Sequence, residues 1–147
     1  MIVKELNEQE CVQVLTASSF GHLACARDNK PYVVPITFAF ADESIYSFSL
    51  MGQKIEWMRQ NPEICLQVDD FRQDRGWKSV IVYGSFQELP DRIGSKRERD
   101  RAWSLLSKDV KWWEPGALKP MTAAAGSAHL FYRIRIERLT GRQAVED

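Results

Sequence analysis

The 147-residue chain is long enough for one domain with a full core, and its 44% hydrophobic and 27% charged residues are ordinary for a soluble globular protein. Lysine plus arginine equals aspartate plus glutamate at 20 each, and this balance argues against a protein that binds nucleic acid through a broad basic surface. Apolar runs are too short to cross a bilayer, so we also expect no membrane partner.

The cysteines and histidines predict no metal site and no disulfide framework. Cys11, Cys25 and Cys65 are odd in number and form no CxxC pair, and no secretory segment precedes them. We therefore expect a reducing, cytoplasmic location, with Cys25 and Cys65 as small inert residues. His22 and His129 lie far apart, without the spacing of metal ligands or a catalytic partner nearby.

The first half of the chain predicts one helix followed by strands. Asn7 with Glu10 three residues later has the pattern of a helix-starting capping box. Phe20–Ala26 and Tyr32–Phe40 have strand composition. Pro35 interrupts the second strand and cannot donate to a sheet, so it marks an edge, a bulge or an opening in a barrel wall.

A short helix between strands follows. Ile45–Leu50 is a predicted strand, and Gly52 loosens the backbone before a helix that ends at Asn61-Pro62. Glu63–Asp69 alternates apolar and polar side chains, as a half-buried strand does. Lys78–Leu89 is a long strand in which Gly84 predicts a bend or a close backbone approach.

The last third predicts a helix, an irregular segment and a final strand. Ser95–Ser107 has helical periodicity, and Lys108–Ala125 is irregular, with Trp112-Trp113 as a cap on a ring, a contact with a dimer partner or a hydrophobic plug. Ala128–Leu139 alternates as a strand, and Thr140-Gly141 is expected to end it before a frayed tail. About six strands with three helices predict a mainly β fold, an antiparallel barrel with flanking helices in a single domain over residues 1–147.

Polar groups suited to a phosphate cluster near the short helix. Lys54 stands at the start of this helix, where backbone N–H groups already favour an anion. Thr37, Ser49 and Ser79 offer hydroxyls on the neighbouring strands. Lys78 and Ser79 face opposite ways, so one of them reaches a ligand more easily than the other. The alternatives are an exposed surface lysine at Lys54, a solvated Lys78 and a half-buried strand threonine at Thr37.

Several short motifs, in their order and spacing, resemble the pyridoxamine 5'-phosphate oxidase-like flavin-binding split barrels, nearest the nitroimidazole-resistance (Nim-like) branch. The motifs, within about Leu6 to Leu89, are Phe20-Gly21-His22-Leu23-Ala24, Pro31–Phe38, Ile45-Tyr46, Gly52-Gln53-Lys54 and Asn61-Pro62. Phe48 stands where Nim-like proteins often carry a histidine, which argues against nitroimidazole reduction. The C-terminal substrate signature of the full oxidase is missing, which argues against pyridoxamine phosphate oxidation.

The resemblance implies a homodimer that binds flavin mononucleotide (FMN) in a cleft between protomers. The residues that would line the flavin ring are Val34, Pro35, Ile36 and Thr37. Those that would hold the ribityl-phosphate end are Ser49, Gln53 and Lys54, completed by Trp77, Lys78 and Ser79.

Three functions remain open from the sequence. The first is an FMN-dependent oxidoreductase that passes electrons from a nicotinamide donor to a small acceptor. The second is a non-catalytic flavin carrier or sensor, or a haem-binding module on the same fold, because no acid, base or nucleophile is recognisable. The third is a structural domain that has lost its ligand, against which the conjunction of Thr37, Lys54 and Ser79 argues.

Overall fold

The computed structural model describes residues 1–71, 76–109 and 129–146. Within these ranges the chain forms eight strands, three α-helices and one turn of 3-10 helix (Ile93–Ser95). The helices are α1 (Glu8–Thr16), α2 (Gln53–Gln60) and α3 (Lys96–Asp109). The strands are β1 (Ile2–Glu5), β2 (Phe20–Arg27), β3 (Lys30–Thr37), β4 (Ala39–Ala41), β5 (Ser44–Leu50), β6 (Glu63–Asp70), β7 (Trp77–Leu89) and β8 (His129–Val145).

All strand pairs in the sheet are antiparallel, as the hairpin-rich sequence predicted. The strand order is β3-β2-β6-β7-β8-β5-β4, with β1 added to the end of β8. The end strand β3 comes into contact with β5 without forming a ladder with it. The sheet therefore curls into a barrel that is split between β3 and β5, which confirms the mainly β split-barrel prediction.

The first helix begins as its sequence predicted. The Asn7 side chain accepts a hydrogen bond from the Glu10 backbone N–H at 2.8 Å, and the Glu10 carboxylate accepts one from the Asn7 N–H at 3.0 Å. These two bonds satisfy N–H groups that a helix start otherwise leaves without partners. Cys11, Val14 and Leu15 then place one apolar face of α1 in the core.

Two apolar clusters hold the fold together. The larger one fills the barrel with alternate strand residues such as Leu23, Leu66 and Val80, all of which are fully buried. The smaller one lies under α3 and includes Phe48 and Phe131. Because α3 covers the outside of β5, the residues from Ser44 to Ser49 are buried on both faces of that strand.

The predicted strand Tyr32–Phe40 is wrong as one element, since it is divided at Phe38. Its first part, β3, forms one edge of the split, and its second part, β4, pairs with β5 on the other side. The Phe38 N–H donates to the Ser19 carbonyl at 2.9 Å, and the Phe38 side chain is buried. The chain crosses the split at this residue, because a buried aromatic anchors the crossing.

The expected strand end at Thr140-Gly141 and the expected frayed tail are also wrong. β8 continues to Val145 because β1 pairs with it, in a register that runs from Ile2 opposite Val145 to Glu5 opposite Arg142. The strand β1 was not predicted. Gly141 allows β8 to pack closely against α1, because a Cβ at this position would lie 2.8 Å from the Cys11 sulfur.

The remaining predictions concern a strand bend, the third helix, a tryptophan pair and membrane spans. The predicted bend at Gly84 is confirmed, because the β7–β8 register shifts there and a Cβ would lie 2.3 Å from the Arg135 carbonyl oxygen. The predicted helix Ser95–Ser107 is α3, preceded by the 3-10 turn. Trp112-Trp113 lies outside the described residues. Among those residues, no helix is long and apolar enough to cross a membrane.

Candidate functional site

A cleft opens at the split of the barrel, where β3, β5 and the start of α2 meet. Its volume is about 220 Å³, and we refer to it as the split cleft. The residues that line it are Pro35, Ile36, Thr37, Phe48, Ser49, Leu50 and Lys54. Five of the ten predicted cofactor-binding residues therefore share one small cavity.

The β3 wall of the split cleft offers backbone more than side chains. Pro35 is exposed and has no N–H, whereas Val34 and Ile36 direct their side chains into the apolar core. Thr37 is buried, and its carbonyl accepts a 2.7 Å hydrogen bond from the Ser47 hydroxyl of β5. This bond ties the two sides of the split together next to the cleft.

The opposite wall ends at the start of α2. Gly52, which has no side chain to cap the first N–H groups, precedes the helix, and no described side chain takes its place. Ile55, Trp57 and Met58 are buried and anchor α2 against the barrel, which fixes the direction of its N-terminus. An uncapped helix start carries partial positive charge and free N–H donors, and such a start favours an anion. Gln53 is exposed at this start.

Lys54 is half-buried, which argues against its being an ordinary surface lysine. Burial lowers the pKa of its amine below the usual value, and the nearby Cys25 thiolate would oppose this shift. Reciprocally, burial raises the pKa of the Cys25 thiol, and Lys54 works against that rise. A cation held partly out of water without an anionic partner is costly, so an anion bound in the split cleft would stabilise it.

Ser49 contributes a buried hydroxyl at the cleft, and this hydroxyl donates to the Leu50 carbonyl at 2.8 Å. The hydroxyl oxygen can still accept a hydrogen bond, and the hydrogen can turn to a ligand if the local bond is given up. Ser49 is the second-last residue of β5, before the loop to α2.

Trp77, Lys78 and Ser79 lie elsewhere on the same chain. Trp77 and Ser79 line a separate groove on the outer face of β7, where the Ser79 hydroxyl accepts a 2.9 Å hydrogen bond from the Gln67 amide. Lys78 alternates with them and faces the other way. Only two strand spacings separate β7 from β5 through β8, but Ser79 lies opposite Arg142 whereas Ser49 lies opposite Leu130. These partners are 12 residues apart, roughly 40 Å along β8. One chain therefore does not bring these three residues to its own split cleft.

The sequence did not indicate several residues that lie near the split cleft. Phe48 and Leu50 line it, and Cys25, which the sequence predicts to be inert, lies near Lys54. Tyr132 is fully buried, and its hydroxyl has no partner that meets hydrogen-bond geometry among the described residues. Burial raises the pKa of Tyr132, and the neighbouring Ser47 hydroxyl opposes the rise. The alternation of β8 predicted that Tyr132 faces the core, but no local pattern showed which strand it would face.

His22 does not line the split cleft. His22 is exposed on β2 opposite Pro35, and its ring meets Phe20 edge-on at 5.6 Å between centroids. Of the His129 side chain nothing is described. Among residues 1–71, 76–109 and 129–146, no group of three or more His, Cys, Asp or Glu side chains could hold a metal ion.

Comparison with known proteins gives a consistent family and fold. The profile of the pyridoxamine 5'-phosphate oxidase family matches residues 7–143. An uncharacterised protein of Rhizobium meliloti (strain 1021) is 47% identical over 146 residues, which cover 98% of this chain and 97% of that protein.

Two solved structures illustrate the range of the fold. A FAD-binding protein from Mesorhizobium loti is 52% identical, with a TM-score of 0.84 over 99% of this chain and 100% of that one. A candidate 5-nitroimidazole antibiotic resistance protein from Bacteroides thetaiotaomicron is 15% identical, with a TM-score of 0.73 over 97% of this chain and 89% of that one. At this lower identity the likeness supports the fold alone.

Proposed function

We propose that this chain, which belongs to the pyridoxamine 5'-phosphate oxidase family, binds a flavin in the split cleft and passes electrons from a nicotinamide donor to a small acceptor. The observation that carries the proposal is the half-buried Lys54 beside the uncapped start of α2, opening onto the cleft. The 52% identical relative, named as FAD-binding, supports a flavin as the ligand.

The split cleft would hold the FMN part of the cofactor, either as FMN itself or as half of FAD. Lys54 and the first N–H groups of α2 would meet the phosphate, because a cation and free donors converge there. Ser49 and Gln53 would add hydrogen bonds at the ribityl-phosphate end. The backbone from Val34 to Thr37 would face the flat ring along the edge of β3, where no neighbouring ladder takes up the outward-facing groups.

A homodimer completes the proposed site. The split cleft measures about 220 Å³, which is below the roughly 300–1,000 Å³ of typical small-molecule pockets. Trp77, Lys78 and Ser79 pair with the end of β8 that lies far from the partner of Ser49, and they do not line the cleft of their own chain, so a second copy is the simplest source of these contacts. In the proposed dimer, the start of β7 from one protomer closes the split cleft of the other.

The protein would act mainly by positioning. A bound flavin supplies the redox chemistry, accepting a hydride from the donor and passing electrons on. Of the described residues that line the split cleft, Lys54 is the one with an ionisable side chain. The chain would therefore bind and orient the cofactor rather than transfer protons to the substrate. Free thiols at Cys11, Cys25 and Cys65 suit the reducing cytoplasm in which we place the protein.

Reduction by a nicotinamide donor tests this function. The protein, loaded with FMN or FAD, is mixed with NADH or NADPH without oxygen, and the visible flavin band is followed. We expect the band to bleach at a rate that rises with donor concentration, and to return when an acceptor is added. A loaded protein that no donor bleaches faster than free flavin would contradict the electron-transfer role and favour a non-catalytic carrier.

A further inference from the structure

A second concave site lies on the outer face of the sheet, where β7 and β8 run side by side. Its volume is about 610 Å³, nearly three times that of the split cleft. We call it the arginine groove, because Arg138 and Arg142 are exposed along its β8 side. Trp77 and Ser79 lie on its β7 side, in the row that alternates with the buried Val80 and Val82.

The arginine groove combines cations, hydroxyls and aromatic rings. Ser79 and Thr140 provide hydroxyls that can bond phosphate oxygens. The Arg138 guanidinium stacks on the Tyr83 ring at 4.2 Å from its centroid, which holds it in place while its edge donors remain available. Trp77 provides a second aromatic wall. Guanidinium groups bind phosphates bidentately, and flat aromatic rings stack on nucleobases.

Among the described residues that line the groove, one carboxylate opposes the two guanidinium groups. Glu5 lines the same groove and lies opposite Arg142 in the β1–β8 register. No ion pair within 4 Å joins Glu5 to Arg142, whereas other arginines of the described chain are paired, such as Arg59 with Glu88. The groove therefore keeps an excess of positive charge, although the chain as a whole has a net charge of zero.

We propose that the arginine groove binds the adenosine diphosphate portion of a dinucleotide, with the diphosphate on Arg138 and Arg142 and the base against Trp77. The assignment rests on the proposed flavin site, because Trp77 and Ser79 are also the residues that would close the partner's split cleft. A dinucleotide whose redox half occupies that cleft would extend directly into the groove. Two sources share this chemistry, the adenylate half of FAD and that of the nicotinamide donor.

The first test uses ADP alone as the probe. Titration calorimetry compares the intact protein with Arg142→Gln and Arg138→Gln, and with Arg135→Gln as the matched control. Arg135 is an exposed arginine on the same strand that does not line the groove. We expect ADP to bind, each groove variant to weaken it roughly 10- to 100-fold, and Arg135→Gln to leave its affinity unchanged. Absence of ADP binding, or equal binding by all variants, would overturn the proposal.

The second test identifies the source of the adenylate. If it is FAD, Arg142→Gln lowers the affinity for FAD and removes the preference for FAD over FMN. If it is the nicotinamide donor, the same change raises KM for NADH and leaves the affinity for FAD unaltered. ADP binding that depends on Arg142 while neither quantity moves would overturn the dinucleotide assignment. Failure of both FMN and FAD to bind, by contrast, would count against the split-cleft function, and the ADP titration would still test the groove independently.

Discussion

The Ser47 hydroxyl donates a 2.7 Å hydrogen bond to the backbone carbonyl of Thr37, and both residues are buried. The bond joins β5 to the end of β3, two strands that touch without forming a ladder. Elsewhere in the barrel, rows of backbone hydrogen bonds join neighbouring strands, whereas here a side-chain hydrogen bond joins them. The same bond sets the distance between the two walls of the split cleft.

Ser47→Ala should destabilise the protein and loosen the cleft. The Thr37 carbonyl would be left buried without its partner, which typically costs about 1–3 kcal/mol in the free energy of unfolding. Urea denaturation measures this change, and flavin affinity should fall with it. The matched control is Ser104→Ala, which changes an exposed serine of α3 and should alter the free energy of unfolding little. A Ser47→Ala protein as stable as the parent would show that the bond does not hold the split.

Tyr132→Phe should leave stability unchanged or raise it by about 1 kcal/mol. The Tyr132 hydroxyl is fully buried and has no partner of good geometry in the described part of the chain, so removing it relieves an unsatisfied polar group. Thermal unfolding measures the stability of this variant. The control is Tyr32→Phe, which removes the hydroxyl of a half-buried tyrosine. A loss of more than about 1 kcal/mol would mean that the hydroxyl is bonded in solution, with Ser47 as the first partner to examine.

The strands and helices of this fold follow closely from local sequence. The capping box at Asn7, the alternation of β6 and the bend at Gly84 all depend on neighbours in the chain, and all were predicted correctly. The division at Phe38 and the pairing of β1 with the end of β8 were missed. Both depend on residues more than a hundred positions apart or on opposite edges of the sheet, where local composition carries no signal.

Lys54 should give the protein a distinct response to alkaline pH. Burial lowers its pKa below the ordinary 10.5, so the unfolded chain holds this proton to higher pH than the folded chain does. Between the two pKa values the unfolded state binds more protons, and the contribution of Lys54 to stability therefore rises with pH. Flavin affinity should fall over the same interval, because the ammonium that binds the phosphate is lost.

Lys54→Met isolates this response, because it keeps the stem of the side chain and removes the charge. The difference in unfolding free energy between the parent and Lys54→Met should shift in favour of the parent as pH rises toward 10.5. The alkaline loss of flavin affinity should be absent in the variant. Identical pH profiles for the two proteins would show that Lys54 is solvated like a surface lysine.

The proposed two-chain site predicts complementation between variants. Lys54→Ala removes the cation from one half of the site, and Ser79→Glu introduces a repelling carboxylate in the other half. In a mixed dimer one site carries both changes and the other carries neither. Refolding the two variants together should therefore restore tight flavin sites, whereas each variant refolded alone should not. No restoration in confirmed mixed dimers would place both halves of the site on one chain.

The candidate site was predictable only in part, for a physical reason. Residues 34–37 and 49–54 are joined by short connections, so their pattern could indicate one cavity, and six of these residues line it. Trp77 and Ser79 lie on the outer face of β7, and no rule of local sequence places them relative to a second copy of the chain. Pairing between chains depends on surface shape, which appears only after folding.

The most direct test of the central claim is a titration of the purified protein with FMN and with FAD, followed by flavin fluorescence. The intact protein should bind at least one of them, and Lys54→Met should weaken that binding by about 1.5–3 kcal/mol, roughly 10- to 150-fold. The control variant Lys96→Met, which changes an exposed lysine on α3, should bind flavin as tightly as the parent does. A parent protein that binds neither flavin, or a Lys54→Met variant that binds as tightly as the parent, would contradict the account.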